Sequence, residues 1–328
     1  MPERITFCDP NSLEADYLAA FLAERRVPQN LFYLLNGADS FYSYRNADLA
    51  EIAWQDEYRF FKEKGLWSRT QRVGFVSLGC GNAGPEKMLL RHLAADGYDI
   101  HYIGVDSSEK MLQLAADNLG SETFEQTYVL ADILRPDFID RLWCLATPLD
   151  VRIYAMIGGT FGNFDQVQIA GFLSRLTRPG DYVYLDVVPT YNTDEANSRL
   201  RSRLARVPET LRGFFDRLLA ALGLSRADGE MVSVESRDGA VNTVRYTYTF
   251  RALRRITLSC LGEQLALEPG DEIELLSVRA YDIASLISFL DLHSFEFVDT
   301  YVPDVGGLGH LWQRLLFVKA EPDSKREA

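Results

Sequence analysis

The sequence has little cysteine, little histidine and no long hydrophobic run. Its four cysteines, Cys8, Cys80, Cys144 and Cys260, are widely spaced and form no Cys-x-x-Cys pair. That spacing argues against a disulfide framework and against a zinc site, so we expect no bound metal. An apolar run long enough to cross a membrane is absent, and the N-terminal stretch MPERITFCDP lacks the apolar core of a secretory signal. These features predict a cytoplasmic protein with no membrane partner.

Positive charge is also scarce. The 328 residues include 34 Lys and Arg against 47 Asp and Glu, which gives a formal net charge of −13 and a pI near 4.9. Because nucleic-acid binding draws on a positive surface, this balance argues against a nucleic-acid partner. It favours a small molecule instead.

The central part of the chain alternates short apolar runs with helical patterns. The predicted strands are 73–78, 101–106, 126–132, 149–158 and 182–188, and helices are predicted between them. Continuous apolar strands that alternate with helices are typical of a parallel sheet covered on both faces. We therefore predict the α/β class, with a doubly wound, mostly parallel sheet.

The segments on either side of this central region do not show the strand–helix alternation. The first helix is predicted to begin after Asn11 or Ser12, and the pattern of residues 231–277 predicts antiparallel strands. The expected segments are an N-terminal helical segment (1–70), a sheet domain (71–190 and 281–320), an inserted helix-plus-strand substrate lobe (191–280) and a disordered tail (321–328).

The residues that follow the first three strands carry the chemistry. They are the loop Gly79-x-Gly81-x-x-Gly84, then Asp106, then Asp132 with Ile133 beside it. Ligands of doubly wound sheets bind at these carboxyl ends. Glycines allow the backbone to approach a ligand, and a carboxylate after the second strand can accept both ribose hydroxyls. An acceptor beside an apolar side chain suits adenine.

This pattern alone fits either a dinucleotide or S-adenosylmethionine. The loop Leu78-Gly79-Cys80-Gly81 resembles that of class I, Rossmann-like methyltransferases, and the pair Ala131-Asp132 is expected there for adenine. The predicted order helix, strand, strand at the end of the chain is similar too. One departure is Ser77, because many class I methyltransferases carry an acid at that position to contact the methionine part of the cofactor.

A closer resemblance lies after the fourth strand. The run 157–165, IGGTFGNFD, is similar to the G-[GS]-[ST]-x-G-N-F signature of the histidine-specific methyltransferase family, whose best-known member makes an ergothioneine precursor. The resemblance implies S-adenosyl-L-methionine as cofactor. The cofactor-binding residues expected on this basis are Gly79, Cys80, Gly81, Lys87, Asp106, Ser107, Asp132, Ile133 and Gly158. The substrate-binding residues expected are Asn163, Tyr42, Tyr44, Tyr191 and Ser277.

The acceptor is less well defined than the cofactor. Histidine-specific members carry an E-x-S run in the substrate lobe, but this chain has Leu275-Leu276-Ser277 with the acid at Glu274. That displacement argues against histidine itself. We expect an enzyme that N-methylates a small amino acid or amine, with no assigned catalytic base. The alternatives are an O-methyltransferase, an NAD(P)-dependent oxidoreductase and a non-catalytic cofactor-binding member, and Asn163 has the alternative role of capping the next helix.

Overall fold

A large mixed sheet organises the computed structural model, which describes residues 2–28, 31, 57–190, 194–205, 207, 211–238, 241–302 and 312–321. The strands in chain order are β1 (Glu3–Thr6), β2 (Arg72–Leu78), β3 (Asp99–Asp106), β4 (Glu125–Leu130), β5 (Val151–Met156), β6 (Tyr182–Pro189), β7 (Gly229–Asp238), β8 (Thr243–Ala252), β9 (Ile256–Cys260), β10 (Glu263–Leu267), β11 (Glu272–Tyr281), β12 (Phe295–Tyr301) and β13 (Gln313–Lys319).

Helices connect most of these strands. They are α1 (Pro10–Glu24), α2 (Glu57–Lys64), α3 (Gly84–Ala95), α4 (Glu109–Leu119), α5 (Phe138–Ala146), α6 (Gln166–Leu176), α7 (Asp194–Ala205), α8 (Arg212–Ala221) and α9 (Ile283–Asp291), with a short 3-10 helix at Thr160–Asn163. Within the described ranges, no helix is long and apolar enough to cross a membrane.

The main sheet is doubly wound, as predicted. Its parallel strands run in the order β1-β4-β3-β2-β5-β6, and β13 then pairs antiparallel with β6 and carries β12 at its other edge. Every residue of β2 after Arg72 is buried. Such burial on both faces explains why these strands read as continuous apolar runs.

The antiparallel strands extend this sheet. Strand β11 continues from the end of β6 through the pairs Ala280–Val188 and Tyr281–Pro189, and β8 and β7 follow it. Strands β9 and β10 form a separate hairpin. The predicted division into a sheet domain and an inserted lobe stays a prediction, and the backbone hydrogen bonding is continuous across that boundary.

The N-terminal segment departs from the predicted pattern in two ways. Strand β1 was not predicted, because four residues with little burial give too short a pattern. Helix α1 begins at Pro10, and the Asp9 side chain, not Asn11 or Ser12, caps it by accepting the Asn11 N–H at 3.3 Å. Proline suits the first helical position because its missing N–H would be unsatisfied there.

Helix α1 packs against the antiparallel part of the sheet. Tyr17 and Phe21 are buried in one cluster with Tyr248 and Phe250 of β8. The backbone after α1 then pairs with β11, since the Val27 N–H donates to the Glu274 carbonyl at 2.8 Å. These contacts hold α1 beside the carboxyl edge of the parallel strands.

Candidate active site

The glycine loop after β2 lies across the end of β3. The Gly79 and Cys80 N–H groups donate to the Val105 carbonyl at 2.8 and 2.9 Å. Gly79 and Gly81 have φ of +72° and +54°, which L side chains rarely adopt. A Cβ on Gly81 would meet no atom within 4 Å, so the loop backbone borders open space there.

Asp106, the last residue of β3, ties this loop to the next one. Its carboxylate accepts the Gly81 N–H and the Ser108 N–H, each at 2.9 Å. Burial raises the pKa of Asp106 to about 6, although these backbone donors act in the opposite direction. Each carboxylate oxygen can accept two hydrogen bonds, so the side chain keeps acceptor capacity for a ligand.

Asp132 follows β4 and lies between two partners. Its carboxylate accepts the Leu134 N–H and the Tyr17 hydroxyl, each at 2.9 Å. Ile133 beside it is buried. Tyr17 belongs to α1 and was missed by the sequence analysis, because nothing in its local pattern separates it from a packing aromatic.

These strand ends open into one cleft. Including the part open to solvent, its volume is about 1340 Å³. Of the predicted site residues, the cleft brings together Gly79, Cys80, Gly81, Asp106, Ser107, Asp132, Ile133, Gly158 and Asn163. Burial raises the pKa of the Cys80 thiol well above its usual value, so this cysteine is a neutral wall residue and not a nucleophile.

Lys87 lies elsewhere. Its ammonium donates to the Asn118 side chain of α4 at 3.1 Å and is not part of the cleft lining. The preceding residue, Glu86, is the one that lines the cleft. Tyr42, Tyr44 and Tyr191 lie outside the described residues, and their predicted substrate contacts stay predictions.

A second cleft adjoins the first. Gly158 and Asn163 line both, and the second cleft also brings in Ser277, the remaining predicted substrate residue. Its other walls are mainly aliphatic and come from Val187, Val188, Leu200, Leu204, Val207, Leu211, Leu276 and Val278. An acceptor bound here would therefore bury an apolar part.

Asp186 is a polar group of this second cleft that sequence reasoning missed. It lies on β6, is 4% exposed, and accepts the Gly158 N–H through Oδ2 at 2.9 Å. Its other oxygen, Oδ1, has no hydrogen-bond partner among the described residues. The sequence feature that could have identified Asp186 is an acidic residue within an apolar strand, because a buried carboxylate needs a partner.

The short helix that carries Asn163 is held from several sides. The Arg279 guanidinium donates to the Gly162 carbonyl at 2.5 Å, and the Thr160 hydroxyl donates to the Ile157 carbonyl at 3.0 Å. Asp165, not Asn163, caps α6 by accepting the Gln168 N–H at 2.9 Å. The alternative role of Asn163 as that helix cap is therefore excluded.

Glu274 does not enter the second cleft. Its carboxylate pairs with Arg26 at 3.0 Å and with Arg245 at 2.6 Å, and the β11–β8 register shifts immediately after it. Leu275, at the position where the E-x-S run has its acid, is buried in the apolar cluster under α1. No carboxylate of the 274–277 segment lines the second cleft.

The sheet order and the glycine-loop cleft are those of a doubly wound, Rossmann-like α/β fold with its cleft at the carboxyl ends of the parallel strands. A family model described as "Histidine-specific methyltransferase, SAM-dependent" matches residues 14–185, which is more than half of the chain. The chain belongs to that family, and it is an enzyme that uses S-adenosylmethionine as methyl donor. A search of curated proteins finds no match.

Solved structures with a similar fold include methyltransferases from several bacteria. An S-adenosylmethionine-dependent methyltransferase from Clostridium acetobutylicum is 11% identical, with 86% of this chain and 98% of that chain covered and a TM-score of 0.44. The 1,6-didemethyltoxoflavin-N1-methyltransferase of Burkholderia thailandensis is also 11% identical, with 96% and 92% covered and a TM-score of 0.44. The CcbJ methyltransferase of Streptomyces caelestis is 15% identical, with 81% and 95% covered and a TM-score of 0.40. Resemblances this distant carry no argument about the acceptor.

Proposed function

We propose that the enzyme N-methylates a small amine or amino-acid-like acceptor that has an apolar part. The observation that carries this proposal is the pair of adjoining clefts, which share Gly158 and Asn163. One cleft has the polar strand ends suited to a nucleoside, and the other has mainly aliphatic walls. A methyl group passing from one to the other would cross beside Asn163.

The residues of the first cleft fit S-adenosylmethionine. The open space beside Gly81 admits a ligand against the loop backbone, and Asp106 would accept the ribose hydroxyls. Asp132 and Ile133 offer an acceptor and an apolar surface for adenine. The bound cofactor would supply a methyl group on a sulfonium centre. An in-line nucleophile would bond to that methyl carbon while the carbon–sulfur bond breaks, and a neutral thioether would leave.

The chain's own contribution is then to hold the nucleophile in line and to exclude water. The α-amino group of a peptide has a pKa of roughly 7.7–8.0, and the ammonium form of any amine acceptor loses its proton far more readily than an alcohol does. Asn163 would orient the amine through its amide oxygen, and Asp186 is a second acceptor-bearing residue in the lining of the second cleft. This scheme requires no strong base.

A hydroxyl acceptor is the second candidate. An alcohol must lose a proton as it attacks, and that step requires a base. The carboxyl-bearing residue Asp186 in the lining of the second cleft is the observation that favours this candidate.

The test is a methyl-transfer assay by mass spectrometry. The purified chain is given S-adenosylmethionine and a panel of amino acids and amines, each paired with its hydroxy analogue. We expect methylation of amines that have an apolar part, and no methylation of their hydroxy analogues. Methylation of the hydroxy analogues alone would establish the second candidate. Cofactor binding without transfer to any acceptor would point to a binding-only member of the family.

Two variants distinguish a substrate contact of Asn163 from an effect on the local fold at the start of α6. Asn163→Ala should lower kcat/KM by about 10- to 100-fold, because it removes a hydrogen bond worth about 1–3 kcal/mol in a buried site. Asp165→Asn keeps a capping side chain at the start of α6 and should leave kcat/KM within about twofold. Equal losses in both variants would mean that Asn163 acts only through the local fold.

A further inference from the structure

Glu86 contributes a buried carboxylate to the lining of the first cleft, the cofactor cleft. Glu86 lies in the first turn of α3, is 1% exposed, and lines the cofactor cleft beside the glycine loop. Its Oε1 accepts the hydroxyl of fully buried Ser77 at 2.5 Å. Its Oε2 has no hydrogen-bond partner among the described residues.

An ionised carboxylate in this position is costly without a cation, since buried charges are normally paired. The nearest lysine along the chain, Lys87, donates to Asn118. Arg314 acts on Glu86 only through longer-range attraction, and its guanidinium is paired with Glu57. The chain therefore offers Glu86 a hydroxyl partner but no contacting cation in its described part.

The cofactor can supply the missing cation. S-adenosylmethionine has two positively charged groups, the sulfonium and the α-ammonium of its amino acid portion. The sulfonium must face the acceptor beside Asn163, and the adenosine is assigned to Asp106 and Asp132. The amino acid portion remains for the part of the cleft at the glycine loop, where Glu86 lies.

We propose that Glu86 binds the α-ammonium of the cofactor and thereby selects for ligands that carry the complete amino acid portion. Ser77 lies at the strand position where many class I methyltransferases have an acid, and its hydroxyl orients Glu86. In this chain the carboxylate comes from the helix and not from the strand. The proposal rests on the placement of the cofactor given under the proposed function.

The test compares two ligands by calorimetry. S-adenosylhomocysteine has the amino acid portion, and 5′-methylthioadenosine has the same adenine, ribose and thioether without it. Glu86→Gln should weaken S-adenosylhomocysteine binding by about 10- to 100-fold, as expected for a charge-assisted hydrogen bond. Binding of 5′-methylthioadenosine should change by less than about twofold. Glu109→Gln, on the exposed first turn of α4, is the matched control and should change neither affinity.

The possible outcomes distinguish an error in the role of Glu86 from an error in the placement of the cofactor. An equal loss for both ligands, or no loss for S-adenosylhomocysteine, would overturn the role of Glu86 alone. Failure of the unaltered chain to bind either ligand would instead overturn the cofactor placement.

A measurement that needs no variant covers the case in which Glu86→Gln does not fold. It is the affinity of the unaltered chain for an S-adenosylhomocysteine analogue that lacks the α-amino group. We expect a loss of at least about tenfold relative to S-adenosylhomocysteine. An unchanged affinity would contradict the proposal.

Discussion

The hydroxyl of Tyr17 donates a 2.9 Å hydrogen bond to the carboxylate of Asp132, across 115 residues of sequence. This bond joins α1 to the strand end proposed to hold adenine. Helix α1 itself is held by its packing against the antiparallel strands. The position of Asp132 therefore depends on a helix that the glycine-loop motif does not include.

Removal of that hydroxyl should affect ligand binding more than folding. We expect Tyr17→Phe to weaken binding of both S-adenosylhomocysteine and 5′-methylthioadenosine by about 3- to 10-fold, because Asp132 loses one of its two orienting donors. The free energy of unfolding should fall by only about 1 kcal/mol.

Calorimetry and urea denaturation measure the two effects. Tyr58→Phe is the control, because it removes a Tyr-to-Asp hydrogen bond at Asp96, which does not line the cleft. A Tyr17→Phe chain with unaltered affinity for both ligands would show that α1 has no part in placing Asp132.

Loss of the Asp106 side chain should reduce ligand affinity more than loss of the Tyr17 hydroxyl, because Asp106 is proposed to bind the ribose and also accepts a hydrogen bond from the glycine loop. We expect Asp106→Ala to weaken binding of either ligand by about 100-fold or more, because the ribose loses a charged acceptor and the Gly81 N–H loses its partner. Asp150→Ala is a matched control: Asp150 also accepts a backbone N–H, that of Arg72 at 2.8 Å, but at the opposite edge of the sheet. Comparable losses from the two variants would refute the ribose assignment.

The glycine loop, Asp106 and Asp132 could be predicted because each follows its own buried strand. The alternation of apolar runs locates those strand ends, and parallel strands bring their carboxyl ends to one edge. Asn163 could be predicted for a different reason, because the residues of its motif are consecutive in the sequence. These are all local signals in the sequence.

The residues that were missed depend on distant contacts. The Tyr17 hydroxyl reaches Asp132 because α1 packs beside the end of β4, and Asp186 lines the second cleft because its strand borders that cleft. Glu86 and Lys87 are neighbours in sequence, but the direction of each side chain on α3 decides which one reaches the cleft, and the motif comparison favoured Lys87. Strand β1 was missed because four residues carry too little periodicity.

The pH dependence of stability should reveal the buried carboxyl of Glu86. Desolvation raises its pKa from 4.5 to about 7, while the Ser77 hydroxyl and, at longer range, Arg314 lower it and Glu57 raises it. Tyr102 and Cys80 also face it. Between these two pKa values the native state binds more protons than the unfolded state, so this carboxyl destabilises the fold progressively as the pH rises from about 4.5 to 7.

Other groups titrate in the same pH range. The prediction therefore concerns the difference in the free energy of unfolding between the Glu86→Gln variant and the unaltered chain. Asp106, whose pKa is also raised, adds a slope of the same sign. His101 and His293, whose pKa values are lowered by burial, contribute the opposite sign. Relative to the unaltered chain, Glu86→Gln should gain about 3 kcal/mol between pH 4.5 and 7. Urea denaturation of both chains across that range measures it, and parallel curves would contradict the burial of an ionisable Glu86.

A buried ion pair joins α2 to the antiparallel edge of the main sheet. Glu57 of α2 is fully buried and pairs with Arg314 of β13, which is 1% exposed and lies 257 residues away. The Tyr184 hydroxyl donates to the same carboxylate at 2.6 Å. Desolvation raises the pKa of Glu57, whereas Arg314 and Tyr184 act to lower it. The pair therefore holds α2 against the final strand at a large desolvation cost.

Breaking this pair on one side should cost more than replacing both partners. Arg314→Met leaves Glu57 buried without its cation, and we expect a loss of about 3–5 kcal/mol in the free energy of unfolding. The double variant Glu57→Gln/Arg314→Met should recover part of that loss, since no uncompensated charge remains. Urea denaturation of the four chains in this cycle measures the coupling. Additive losses would mean that the two charges stabilise the fold independently, and the ion pair would then not be what fastens α2 to β13.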